Sequence, residues 1–130
     1  MNIKQCLTFG ASVVLTLVLC GRALADENGQ VVRLAKLQID ATQLESYKAA
    51  LKEEIETSLR VEPGVLALYA VSERDNPAHI TVFEIYADPD AYKAHLETPH
   101  FNKYKSATQT MVKSLELVEA VPILLGAKAK

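Results

Sequence analysis

Cysteine is almost missing from this chain: there are two, Cys6 and Cys20, and both fall before residue 21. If that stretch is a leader, the rest of the protein has neither a disulfide nor thiolate chemistry, even in an oxidising compartment. An excess of charge of either sign is missing too. Fourteen Lys and Arg stand against 16 Asp and Glu, a formal net charge of -2, so no polyanion partner is indicated and no nucleic acid is expected. Also absent are a glycine-rich phosphate loop, a serine nucleophile elbow and a ligand cluster at metal spacing. What remains is an ordinary globular composition. Apolar residues make up 49% of 130 residues, about one domain, with no internal repeat, low-complexity tract or linker.

The long apolar run is at the start. Lys4 gives a short basic region, Leu7 to Cys20 is apolar, and Ala23-Leu24-Ala25 is a small-x-small cleavage signal. Residues 1–25 therefore read as a signal peptide cut after Ala25, and residues 26–130 as a single domain, secreted or periplasmic. The run is short of the roughly 20 residues that span a membrane, and no second such segment follows, so no stable span is expected after cleavage. A lipoprotein signal at Cys20 is the weaker alternative, because Leu19 occupies a position that is normally small. Losing the leader removes Lys4 and Arg22 and no acid, which makes the remainder two charges more acidic than the whole.

Val31 to Ile39 interrupts its apolar residues with Arg33, Lys36 and Gln38 and reads as a strand. Thr42-Gln43-Leu44-Glu45 has the form of a capping box, and Leu44, Tyr47, Leu51, Ile55 and Leu59 follow at helical spacing. Glu62-Pro63-Gly64 stops that helix. Val65 to Val71 is apolar on both sides and reads as a strand buried on both faces. Ser72 to Pro77 is a hairpin loop, and Ile80 to Tyr86 the returning strand.

Asp88-Pro89 and Thr98-Pro99 each combine a capping side chain with proline in the first turn, where its missing N–H costs nothing. They predict two helices meeting at a corner, the second running from Pro99 to about Lys113. Leu115 to about Leu125 reads as a last strand, broken by Pro122. Strand, helix, strand, strand, helix pair, strand is the split βαβ order: α+β, with a four-stranded antiparallel sheet and helices on one face. The doubly apolar second strand points to a homodimer through the open face.

Three positions invite a functional reading. His95 lies near the end of the first corner helix, where the dipole favours a charged ring, and His100 in the first turn of the second, where it favours a neutral one. They could act as acid and base, or make structural hydrogen bonds. Glu84 sits in the middle of an apolar strand, where an unpaired buried carboxylate would cost several kcal/mol. It pairs with Arg33, Lys36 or Arg60, faces water on a wetter strand face, or orients a histidine or a substrate hydroxyl. His79, after the hairpin loop, reads as a surface residue. His95 and His100 are five apart across a proline, not the four that stacks ligands on one helix face, so no metal is expected.

The stretches Arg60-Val61-Glu62-Pro63-Gly64, Phe83-Glu84-Ile85-Tyr86 and Ala94-His95-Leu96-Glu97-Thr98-Pro99-His100-Phe101 resemble the antibiotic biosynthesis monooxygenase (ABM) family over roughly residues 31 to 125. The corner is most similar to the quinol monooxygenase branch. The resemblance implies a ferredoxin-like, dimeric α+β barrel and a cofactor-independent oxidation of quinol-like or polycyclic aromatic substrates by O2. Haem-degrading relatives carry a tryptophan and a histidine where this chain has His95 and Lys105, and it has no tryptophan at all. Familiar quinol-oxidising relatives are cytoplasmic, so an exported location is a further departure.

Cofactor-free oxidation needs a base, a partner for the resulting anion and a dry cavity. His100 is the better base by its helix position, with His95 or Glu84 stabilising the anion or relaying the proton. Tyr69, Phe83, Tyr86, Phe101 and Tyr104 would line an aromatic slot, although Phe101, Tyr104, Thr108 and Met111 also have the spacing of a core stripe. The alternative is a non-catalytic dimeric module that uses the cavity to bind a small hydrophobic or aromatic ligand.

Overall fold

A computed structural model describes residues 29–130. The expected leader and its cleavage site, and both cysteines, lie outside the described residues. The elements run β1 (Val31–Ile39), a 3-10 turn (Ala41–Gln43), α1 (Leu44–Val61), β2 (Val65–Ser72), β3 (His79–Tyr86), α2 (Pro89–Leu96), α3 (Pro99–Thr108) and β4 (Val112–Ala120). The strands form one sheet in the order β2-β3-β1-β4, with every neighbouring pair antiparallel. This is the split βαβ arrangement that the element order predicts.

The two-residue period of the strands sorts the side chains. Ala35, Leu37, Ile39, Ile80 and Val82 pack with Tyr47 and Leu51 of α1, with Tyr104 of α3 against them. Val31, Val65, Leu68 and Tyr86 form a second cluster, closed by Ala91 and Tyr92 of α2. All three helices thus cover the same face. Gly64 lets α2 come this close: a Cβ there would lie 2.5 Å from Ala91 Cβ, far inside van der Waals contact. Among the described residues, no helix is long and apolar enough to cross a membrane.

The corner forms as its caps predict. Asp88 accepts from Ala91 N at 2.7 Å and Thr98 Oγ1 from Phe101 N at 3.3 Å, with Pro89 and Pro99 in the opening turns. Four expectations need correction. The cap before α1 is Asp40, whose carboxylate takes Thr42 N at 2.9 Å and Thr42 Oγ1 at 2.7 Å, because a 3-10 turn precedes the helix and leaves no capping box. The buried stripe of α1 includes Glu54 and Ser58, while Leu59 is exposed. α3 stops at Thr108 and β4 starts at Val112, since a register shift at Gln38/Ile39 brings Val112 opposite Ile39; Pro122 falls beyond the strand. Finally, β2 is not buried on both sides. Among the described residues it is an edge strand bonded to β3 alone, and the sheet face away from the helices is uncovered, which leaves Tyr69 and Val71 exposed.

Candidate active site

The corner, the end of α1 and the inner face of β3 meet around one largely buried carboxylate. Glu62 ends α1, its N–H bonded to Ser58 O at 2.9 Å, and the following Pro63-Gly64 turns the chain so that its side chain faces the corner. There Glu62 Oε2 lies 3.0 Å from His95 Nδ1 and 2.6 Å from His100 Nε2. One oxygen is shared by two imidazoles from two helices. Thr98 ties those helices together, since its hydroxyl donates to His95 O at 2.8 Å while capping α3. Partial burial alone would raise the Glu62 carboxyl, but the hydrogen bonds from His100 and His95 outweigh it and hold the group below its ordinary range.

His95 is 3% exposed. Its ring lies between Phe101, at 4.8 Å between centroids, and Tyr86, at 5.3 Å. Its second nitrogen, Nε2, faces Glu54 Oε1 at 3.6 Å, and Ser58 donates to that same oxygen at 2.7 Å. Both buried polar residues of α1 are therefore partners of the corner, which explains why they displace Leu59 from the inner stripe. Glu54, His95 and His100 each offer a ligand-type atom, and these atoms all lie within 4.8 Å of one another. They are the described residues that could hold a metal ion. His95 and His100 do not share one helix face; the corner folds the two rings toward a carboxylate from a third element.

A cavity of about 780 Å³ opens beside this cluster, within the range of small-molecule sites. Most of its wall is apolar, and Glu54, Glu84, Tyr86, His95 and Tyr104 supply polar groups. His100 and Glu62 sit behind His95 rather than on the wall. Glu84 stands opposite Arg33 in the β1–β3 register and accepts from Tyr86 Oη at 3.0 Å. Burial pushes its carboxyl up, and the Tyr86 bond and the Arg33 charge only partly offset this. Burial, and then the charge of Glu84, push the Tyr86 phenol up in turn. The Arg33 guanidinium stacks on Tyr92 at 4.4 Å. Across the cavity, Tyr104 and Tyr47 join through their hydroxyls at 2.7 Å.

Over residues 30–107 the sequence matches the antibiotic biosynthesis monooxygenase family. The chain belongs to that family. A crystal structure named as a candidate antibiotic biosynthesis monooxygenase from Bacteroides thetaiotaomicron VPI-5482 is 56% identical, covering 78% of this chain and 97% of that one, with a TM-score of 0.75. A candidate monooxygenase from Lactobacillus acidophilus NCFM is 33% identical over 72% of this chain and 44% of that one, TM-score 0.68. A third structure, from Nitrosomonas europaea, shares the fold at 21% identity, with 77% and 96% covered and a TM-score of 0.70. No curated protein matches the chain. The ferredoxin-like fold and a monooxygenase-like function thus come with the family.

Within this ABM-family chain the expected site residues separate into two groups. His95, Glu84, Tyr86, Phe101 and Tyr104 line the cavity, and His100 is linked to it through Glu62 and His95. Tyr69 and Phe83 do not belong to the slot. They pair with each other on the opposite face of the sheet, because both are one residue out of phase with Leu68, Glu84 and Tyr86, and Tyr69 is 63% exposed. His79 is at the surface beside Glu73, at 3.4 Å. Glu54 and Glu62 were not anticipated as site residues. Tyr47, Leu51, Glu54 and Ser58 do follow three-and-four spacing, and two polar residues on such a stripe were the available signal.

Proposed function

We propose that this protein is a cofactor-independent monooxygenase that oxidises a quinol-like or polycyclic aromatic substrate with O2, using His95 as the base. One observation carries the reading: His95 is the single histidine on the wall of a mostly apolar cavity, backed by a carboxylate that it shares with His100. Ground-state O2 reacts slowly with closed-shell molecules, and a hydroquinone gives up an electron far more readily as its anion. Removing the hydroxyl proton inside a dry cavity is therefore the step a protein can accelerate. His95 Nε2 takes that proton, and Glu62 and His100 hold the charge that develops on the ring and lead toward the surface. Glu84 and Tyr86 give a second polar contact across the cavity. The anion reduces O2, an oxygen–carbon bond forms at the ring, and the other oxygen leaves as water, so that one hydroquinone and one O2 give one hydroxyquinone and one water.

This revises the expectation for His100, which becomes the relay partner of His95. The reading extends to a homodimer, formed through the sheet face away from the helices, where the apolar side chains of Tyr69 and Val71 remain exposed. It also includes export to the periplasm or beyond, which rests on residues 1–25. The test is oxygen uptake with a reduced naphthoquinol in chelator-treated buffer. A protein-dependent rate that falls about 10²-fold or more in His95→Ala supports the reading. Uptake no faster than spontaneous oxidation refutes it, and saturable binding of the same quinone without turnover would leave the ligand-binding module in its place.

A further inference from the structure

Glu54, His95 and His100 have a second chemical capacity that does not depend on the oxidation above. We propose that they form a binding site for one divalent first-row transition cation of the zinc type, with Glu62 as the group that orients His95. The donor set is two imidazoles and one carboxylate. Such a set suits zinc and its neighbours, whereas magnesium and calcium favour oxygen alone.

The orientation of His95 agrees. Its Nδ1 is held by Glu62 at 3.0 Å, which leaves Nε2 directed at Glu54, 3.6 Å away. A carboxylate on the far nitrogen of a histidine is the arrangement that fixes the tautomer of a metal-bound ring. The spacing agrees as well. Two ligand atoms about 2.1 Å from a tetrahedral ion lie about 3.4 Å apart. The His95–Glu54 pair is already near that distance, and the three ligand atoms all lie within 4.8 Å of one another.

Electrostatics favours a cation here. Glu54 and His95 are buried and Glu62 is largely so, and two carboxylates removed from water need compensating positive charge. A divalent ion on Glu54 and the two rings supplies it at the centre of the cluster. The ion would also occupy Nε2 of His95, so that the loaded protein has no free nitrogen on the cavity wall.

The experiment titrates chelator-treated protein with Zn2+ by calorimetry and with Co2+ by visible absorption, without substrate. The expected result is one Zn2+ per chain, and intense Co2+ bands of four- or five-coordination. Affinity should fall about tenfold or more in Glu54→Gln, which keeps the shape of the residue and its bond to Ser58, and also in the more exposed His100→Gln. His79→Gln, in the surface pair with Glu73, should change nothing. No uptake of either ion, uptake insensitive to both Glu54→Gln and His100→Gln, or equal competition by Mg2+ would overturn the proposal. Because the readout is binding without substrate, its failure says nothing against the oxidation reading, and the reverse also holds.

Discussion

Replacing Glu62 by glutamine keeps the size of the side chain and removes the charge that two imidazoles share. In the native site, Glu62 Oε2 takes hydrogen bonds of 3.0 Å from His95 and 2.6 Å from His100. Hydrogen bonds to a charged group contribute roughly 1.5–3 kcal/mol and neutral ones roughly 0.5–1.5, so neutralising the acceptor costs about 1 kcal/mol per bond and about 2 in all. The same difference acts on the reaction, because a ring that has accepted a proton is held by a carboxylate and not by an amide. Only the bond to His95 is to the ring that gains the proton, so at 1.36 kcal/mol per factor of ten its share of about 1 kcal/mol lowers the rate about 5-fold. Oxygen uptake with a naphthoquinol, beside urea unfolding followed by circular dichroism, would measure both quantities. Glu62→Gln should remain folded, lose about 2 kcal/mol, and retain more activity than His95→Ala. An unchanged rate would refute the claim that Glu62 supports the base.

Three further outcomes follow from the same geometry. Burial holds the Glu84 carboxyl above its ordinary 4.5, so any stability it lends is present at low pH and lost as pH rises through the raised value. Wild type should therefore match Glu84→Gln in acid and fall behind it toward neutral pH, as unfolding midpoints across that range would show. Gly64→Ala places a methyl 2.5 Å from Ala91 Cβ and should cost about 1–3 kcal/mol by overpacking; because α2 must move, quinol turnover should drop as well. Thr98→Ala removes both the cap of α3 and the tether to His95 O. It should cost about 1 kcal/mol and lower the rate in the same variant, measured by the same two assays.

What the sequence made legible was local. The caps at Asp88 and Thr98 place both corner helices, because a short side chain followed by proline settles the first turn whatever surrounds it. Alternation in β1 and β3 separates the two faces of the sheet, and Glu84 stands out because a charged residue interrupts an apolar face. The hidden parts depend on distant partners. Glu62 looks like a helix stop because its role as a shared acceptor comes from residues 33 and 38 positions further on, and the place of Glu54 on the inner stripe gains its meaning only when His95 is folded against it. Val65 to Val71 is apolar on both sides, but apolarity does not show that the helices of the same chain cover only one of them; the packing does. The shift between Gln38 and Ile39 that sets the start of β4 is likewise a property of the pairing and not of either strand alone.

The most direct test of the central claim follows the oxygen atoms. The quinol is turned over under ¹⁸O2 by the wild-type protein and by His95→Ala, with product masses recorded at early times. The wild-type reaction should give a product that carries one labelled oxygen, with the other in water, and the variant a labelled yield close to the protein-free background. An unlabelled quinone, or equal labelling by the two proteins, would contradict that claim.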